Sequence, residues 1–75
     1  MKDFYSKVES MVDRWCKISN DAYSDFYYRT VSETEDGYEV LIKIDFYFSS
    51  TVILKGIVYK DMRKRASIID TADEF

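Results

Sequence analysis

The segment YEVLIKIDFYF, residues 38–48, decides the fold of this chain. Its even-numbered residues are all apolar, whereas its odd-numbered residues mix charged, aromatic and aliphatic side chains. A period of two is that of a β-strand, because successive side chains point to opposite faces of the sheet. The segment therefore predicts a strand whose core face carries Tyr38, Val40, Ile42, Ile44, Phe46 and Phe48.

Two further strands are predicted on either side of this segment. Residues 25–34 are dominated by aromatic and β-branched side chains, and residues 52–59 alternate in the same way as the central strand. The Glu-Asp-Gly sequence at 35–37 predicts a three-residue hairpin loop with Gly37 in the left-handed conformation. Residues 49–51 predict the second turn, so the three strands form an antiparallel meander.

The second turn also predicts a register between the last two strands. A three-residue turn at 49–51 places Ile44 opposite Gly56, which aligns the two apolar sets on one face. The same register places Asp45 opposite Lys55 on the other face, where opposite charges form a favourable cross-strand pair.

The first strand leaves two alternatives for its core face. One set is Phe26, Tyr28 and Thr30, and the other is Tyr27, Arg29 and Val31. The hairpin loop favours the first set, which leaves Arg29 outside the core.

An amphipathic helix is predicted from residue 3 to about residue 21. Apolar residues recur at spacings of three and four, as expected of one helix face. They are Phe4, Val8, Met11, Trp15, Ile18 and Ala22, with Tyr5 and Val12 widening the stripe. This helix is expected to cover the core face of the sheet, and Gly56 predicts a close approach of the helix, under Trp15.

A short C-terminal helix is predicted after Lys60, because Met62, Ala66 and Ile69 recur at helical spacing. The tail of residues 70–75 is expected to fray. The predicted fold is therefore α+β in the order α-β-β-β-α, with residues 1–75 forming a single small domain. It combines an N-terminal helix packed on a three-stranded antiparallel β-meander with a short C-terminal helix.

Composition argues against catalysis and against bound cofactors. The 75 residues include no histidine and one cysteine, so no imidazole base, no internal disulfide and no zinc site of cysteines and histidines is available. We expect no enzyme activity, no cofactor and no metal site. The lone cysteine and the lack of an apolar leader or membrane-spanning stretch predict a cytoplasmic protein that does not enter a membrane.

The odd-numbered, mixed face of the sheet is the candidate binding surface. Tyrosine and arginine dominate the hot spots of protein interfaces, and leftover apolar surface on a small domain usually belongs to a partner. The predicted partner-binding residues are Tyr27, Arg29, Leu41, Lys43, Tyr47, Ile53, Lys55, Ile57 and Tyr59. The basic sequence at 63–65 is interpreted instead as solvated surface.

The function predicted from these features is non-catalytic protein binding, with a homodimer expected. A specific version is a viral inhibitor, from a phage or mobile element, that blocks a host defence or nucleic-acid-processing protein. It rests on small size and on a residue bias typical of AT-rich codons. The alternatives are single-stranded nucleic-acid binding through the tyrosines and cations of the mixed face, or a purely structural homodimeric subunit. The net charge of −3 makes nucleic acid the less favoured partner.

Overall fold

The computed structural model describes the backbone of residues 2–75 and the side chains from Phe4 onward. One helix precedes a single antiparallel sheet whose strands lie in chain order. The elements are α1 (Lys2–Ser19), β1 (Tyr23–Glu33), β2 (Gly37–Phe46), β3 (Val52–Tyr59) and β4 (Ser67–Thr71). The α+β class is confirmed, but a fourth strand takes the place of the predicted C-terminal helix.

The core lies between α1 and the even-numbered face of β2 and β3. Val40, Ile42 and Ile44 are each 0% exposed, which confirms the core face predicted from the alternation. Phe48 is 99% exposed, so its assignment to the core was wrong. The reason is that β2 ends at Phe46, two residues earlier than expected.

The helix packs through a face rotated from the predicted stripe. Val8, Met11, Val12 and Cys16 are buried, whereas Ile18 is 87% exposed. The helix ends in a Schellman motif, because Asn20 adopts a positive φ of 60° and the Asp21 amide donates to the carbonyl of Cys16. Ile18 therefore lies in the last turn of α1, which does not pack against the sheet.

Strand pairing keeps the predicted faces but changes the predicted register. Lys55 lies opposite Leu41 rather than Asp45, and Gly56 lies opposite Val40 rather than Ile44. The predicted Asp45–Lys55 pair is wrong, because residues 47–51 form a longer loop than the three-residue turn. The shift spans an even number of residues, so the paired residues of β2 and β3 stay on their expected faces.

The first strand follows the favoured alternative. Phe26 pairs with Ile44 and Tyr28 pairs with Ile42, and both rings pack against the core. Tyr27 points to the other face and is 46% exposed.

Both glycines are explained by close packing. Neither has a positive φ, so the predicted left-handed conformation of Gly37 is wrong. A Cβ on Gly37 would collide with the carbonyl oxygen of Val58 and lie 2.9 Å from the Cα of Tyr59. A Cβ on Gly56 would meet the Met11 side chain at 2.9 Å, which confirms the close approach of the helix but replaces Trp15 by Met11 as the neighbour.

Residues 60–66 form a loop tied to the helix. Lys7 Nζ donates to the carbonyls of Met62 and Lys64 at 2.6 and 2.8 Å, and Arg14 donates to the carbonyl of Ala66. The chain then continues into β4, whose Ile68 packs against the core. The predicted C-terminal helix was wrong, since pairing with β3 satisfies the backbone of the β-branched sequence that follows the loop. Asp70 and Thr71 of the tail belong to β4.

Candidate functional site

The face of the sheet opposite α1 is the candidate site, and we call it the open face. Alternation along β1, β2 and β3 brings eight of the nine predicted binding residues onto it. They are Tyr27, Arg29, Leu41, Lys43, Ile53, Lys55, Ile57 and Tyr59. The ninth, Tyr47, follows the end of β2 and is 65% exposed in the loop to β3. Its ring lies beside that of Phe48, with the ring planes tilted by 44° and the centroids 6.2 Å apart.

Two adjacent rows of cross-strand partners form the centre of the open face. Their members are Tyr27, Lys43 and Ile53 in one row, and Arg29, Leu41 and Lys55 in the other. Three cations therefore surround an apolar centre, and no acidic residue occupies these six positions. Acids lie beside these positions on the same face: Asp70 of β4 pairs with Lys55 at the end of one row, and Glu39 and Asp45 lie on β2 outside the rows.

Contacts across the open face hold its polar groups in place. Lys43 Nζ lies 5.7 Å from the centre of the Tyr27 ring, a cation–π arrangement. Lys55 Nζ lies 3.6 Å from a carboxylate oxygen of Glu39. The Tyr27 hydroxyl donates to Asp25 at 3.2 Å, and this hydrogen bond raises the pKa of Tyr27. Leu41, Ile53 and Ile57 remain half-buried.

The C-terminal tail reaches across the open face. The Ala72 amide donates to the carbonyl of Ile53 on β3 at 3.0 Å, and the main-chain oxygen of Phe75 accepts from Arg29 Nε on β1 at 2.7 Å. The Arg29 guanidinium also lies 5.6 Å from the centre of the Phe75 ring. Sequence reasoning missed Phe75. The available signal was a single aromatic residue at the end of an acidic tail.

The basic sequence at 63–65 borders the open face but does not form part of it. Lys64 Nζ lies 5.1 Å from the Tyr59 ring, at one corner of the face. Arg63 is almost fully exposed and pairs with Asp61 at 3.1 Å. Hydrogen bonds from the side chain and the backbone of Arg63 lower the pKa of Asp61. The same hydrogen bonds stabilise the turn that begins at Asp61.

A cleft of about 450 Å³ lies between α1 and the loop of residues 60–66. It is lined by Ser6, Lys7, Ser10, Arg14, Met62, Arg65 and Ala66. Lys7 and Arg14 donate to carbonyl oxygens of the loop in this cleft. These two cations therefore connect the loop to the helix.

Cys16 lies in the core. Burial, followed by the nearby charges of Asp13 and Asp21, raises the pKa of its thiol. A thiolate is the nucleophilic form of cysteine, and a raised pKa disfavours it. The environment of Cys16 therefore opposes nucleophilic chemistry.

Alkylation of Cys16 tests this assignment. At pH 8 the folded chain is expected to react with iodoacetamide at least about tenfold more slowly than the chain in urea, because reaction requires local opening of the core. The measurement is mass spectrometry of quenched time points. Equal rates would contradict the burial of the thiol.

Within the described part of the chain, no group of three acidic or cysteine side chains is arranged to hold a metal ion. No described helix has the length and hydropathy needed to cross a membrane. Comparisons with protein-family models, with curated proteins and with solved structures find no match for this chain. Its function must therefore be argued from its own geometry.

Proposed function

We propose that this chain is a non-catalytic protein-binding module that engages its partner through the open face. The observation that carries the proposal is the composition of that face: three cations and partly exposed tyrosines around half-buried aliphatic side chains. Such a mixture resembles the centre and rim of a protein interface, where tyrosine and arginine provide anchors and aliphatic groups lose water on binding.

Energetics favour the open face over the basic sequence at 63–65. Covering apolar surface contributes about 25 cal/mol per Å², and Leu41, Ile53 and Ile57 are still partly accessible. Exposed ion pairs of the kind that Arg63 forms contribute only about 0–1 kcal/mol. A partner therefore gains more from the sheet than from the loop.

Nucleic acid is the less favoured partner for the same face. The net charge of −3 repels a phosphate backbone, and Glu39 already pairs with Lys55. In addition, Lys43 lies over the ring of Tyr27, which a stacking base would need. These contacts support binding of a protein surface.

The proposal extends to a specific form, an inhibitor encoded by a phage or mobile element that blocks a host defence or nucleic-acid-processing protein. Small size, acidic charge and the lack of histidine suit a protein that acts by covering a surface. A second copy of the chain is the other protein partner that the proposal names. Sedimentation at micromolar concentration separates the two, because a homodimer gives a mass that rises with concentration and a foreign interface gives a monomer.

A pair of matched double variants tests the proposal. Tyr27→Ser with Ile57→Ser removes one aromatic and one aliphatic group from the open face, and the capture of partner from native host lysate is expected to fall at least about tenfold. Tyr47→Ser with Ile18→Ser removes the same two kinds of group from exposed positions elsewhere. That control is expected to change capture by less than about threefold.

Circular dichroism and melting of both variants establish that they are folded, so that a loss of capture reports on the surface. The proposal fails if the control variant loses the partner while the open-face variant retains it. The binding surface would then be the end of the molecule that carries Tyr47 and Phe48.

A further inference from the structure

The tail leaves the edge of the sheet and turns toward β1. The Ala72 amide donates to the carbonyl of Ile53 and so continues the ladder between β3 and β4, and the backbone bends at Asp73. The Phe75 oxygen accepts from Arg29 of β1, two strands beyond β3. Residues 73–75 therefore bring Phe75 from the β4 edge to the Arg29 side chain on the open face.

The contacts at the end of the tail do not depend on its covalent connection to the sheet. Arg29 offers its planar guanidinium to the ring of Phe75 and its Nε–H to the main-chain oxygen of the same residue. A peptide of another chain with an aromatic residue at this position presents the same two groups. Arginine is suited to the double role because its donors lie in the plane that also stacks on a ring.

The tail carries acids and the open face carries cations. Asp73 and Glu74 are exposed and precede Phe75, and Arg29 and Lys43 lie on the face, whereas Lys55 already pairs with Glu39 and lies opposite Asp70. Opposite charges on facing surfaces favour association and fix orientation. The tail thus displays the chemistry that this face accepts.

We propose that the open face binds a segment of a partner protein in which acidic residues precede an aromatic one. The aromatic residue would take the place beside Arg29, which we call the seat, and Phe75 occupies this seat until the partner displaces it. This inference rests on the proposed function and names the chemistry of its partner. A tethered tail acts at a high effective concentration, which reaches millimolar values for short flexible connections. Only chains whose tail has left the seat can bind the partner segment, so its apparent affinity is the intrinsic affinity multiplied by the fraction of such chains.

The probe for this inference is a dye-labelled, amidated hexapeptide, Asp-Thr-Ala-Asp-Glu-Phe, which repeats residues 70–75. Its binding to the full-length chain is measured by fluorescence anisotropy. Phe75→Ala in the protein is expected to tighten peptide binding by at least about tenfold relative to the unaltered chain, because the seat is vacated. A second peptide with Ala in place of its Phe is expected to bind at least about tenfold more weakly to the same variant.

The matched control uses two cations in the Phe75→Ala background. Arg29→Ala is expected to abolish peptide binding, whereas Arg63→Ala, which removes an almost fully exposed cation that pairs with Asp61, is expected to leave it unchanged. The Arg29 Nε–H resonance provides a second readout in the folded protein. It is expected to shift in Phe75→Ala and to return on addition of the peptide.

Two results would overturn the inference: equal peptide affinity of the unaltered and Phe75→Ala chains, or no binding to Phe75→Ala at millimolar peptide. If either occurs while Tyr27→Ser with Ile57→Ser still loses its captured partner, the seat is wrong and the proposed function stands. If the peptide binds as expected but the same double variant keeps its partner, the seat is right and the proposed function is wrong.

Discussion

Replacing Met11 by alanine is expected to lower the free energy of unfolding by about 2–5 kcal/mol. The Met11 side chain is 1% exposed and fills the space between α1 and Gly56 of β3. Truncation removes its apolar contacts and leaves a cavity that the rigid sheet cannot fill. Domains of this size have total stabilities of only about 5–15 kcal/mol, so the loss is a large fraction of the whole. Urea unfolding followed by circular dichroism measures it.

Ile18→Ala is the matched control for Met11→Ala. The two residues belong to the same predicted helix stripe, but Ile18 is 87% exposed. Its truncation is expected to change the free energy of unfolding by less than about 0.5 kcal/mol. Equal losses for the two variants would mean that α1 packs through the stripe read from the sequence and is rotated from the orientation described above.

The faces of the sheet were predictable because burial imposes a strict period of two. Val40, Ile42 and Ile44 follow that period without interruption, and any register that differs by an even number of residues preserves it. For the same reason the pattern could not distinguish the turn at 49–51 from the longer loop of residues 47–51. The register was therefore wrong, while the assignment of faces was right within the strands and failed only at Tyr47 and Phe48, which follow the end of β2.

The C-terminal strand was not predictable from local pattern. Met62, Ala66 and Ile69 have helical spacing, yet Ser67–Thr71 is a short sequence rich in β-branched residues. A short apolar segment is compatible with a helix and with a strand. The strand forms here because the edge of β3 has backbone donors and acceptors that pair with β4. That edge exists only once the meander has formed, so the choice depends on tertiary structure.

The sequence pattern predicts which residues share the open face, but it does not predict the contact between the tail and that face. Alternation alone places Tyr27, Arg29 and Lys43 on one face. Tyr47 was misplaced because β2 ends before it. The contact of Phe75 with Arg29 joins residues 46 positions apart, and no periodicity links a tail residue to a particular strand position.

Gly37→Ala is expected to destabilise the protein by about 1–3 kcal/mol or more. The new Cβ would collide with the carbonyl oxygen of Val58 and press on the Cα of Tyr59, both of which belong to the backbone of β3. Backbone atoms in a paired strand cannot move without disturbing the ladder between β2 and β3. Gly56→Ala is the control, and it is expected to cost less than Gly37→Ala. The nearest obstacle there is the thioether end of Met11, which can change rotamer.

Gly37→Asn separates close packing from the left-handed turn expected from the Glu-Asp-Gly sequence. Asparagine tolerates a positive φ better than alanine does, so a left-handed Gly37 would make Asn the milder replacement. Close approach to β3 predicts the opposite order, because Asn adds a larger side chain at the same collision. We expect the melting temperature to fall at least as far for Gly37→Asn as for Gly37→Ala. A clearly higher melting temperature for Gly37→Asn would show that the conformation of the turn, and not the space beside Val58, requires glycine here.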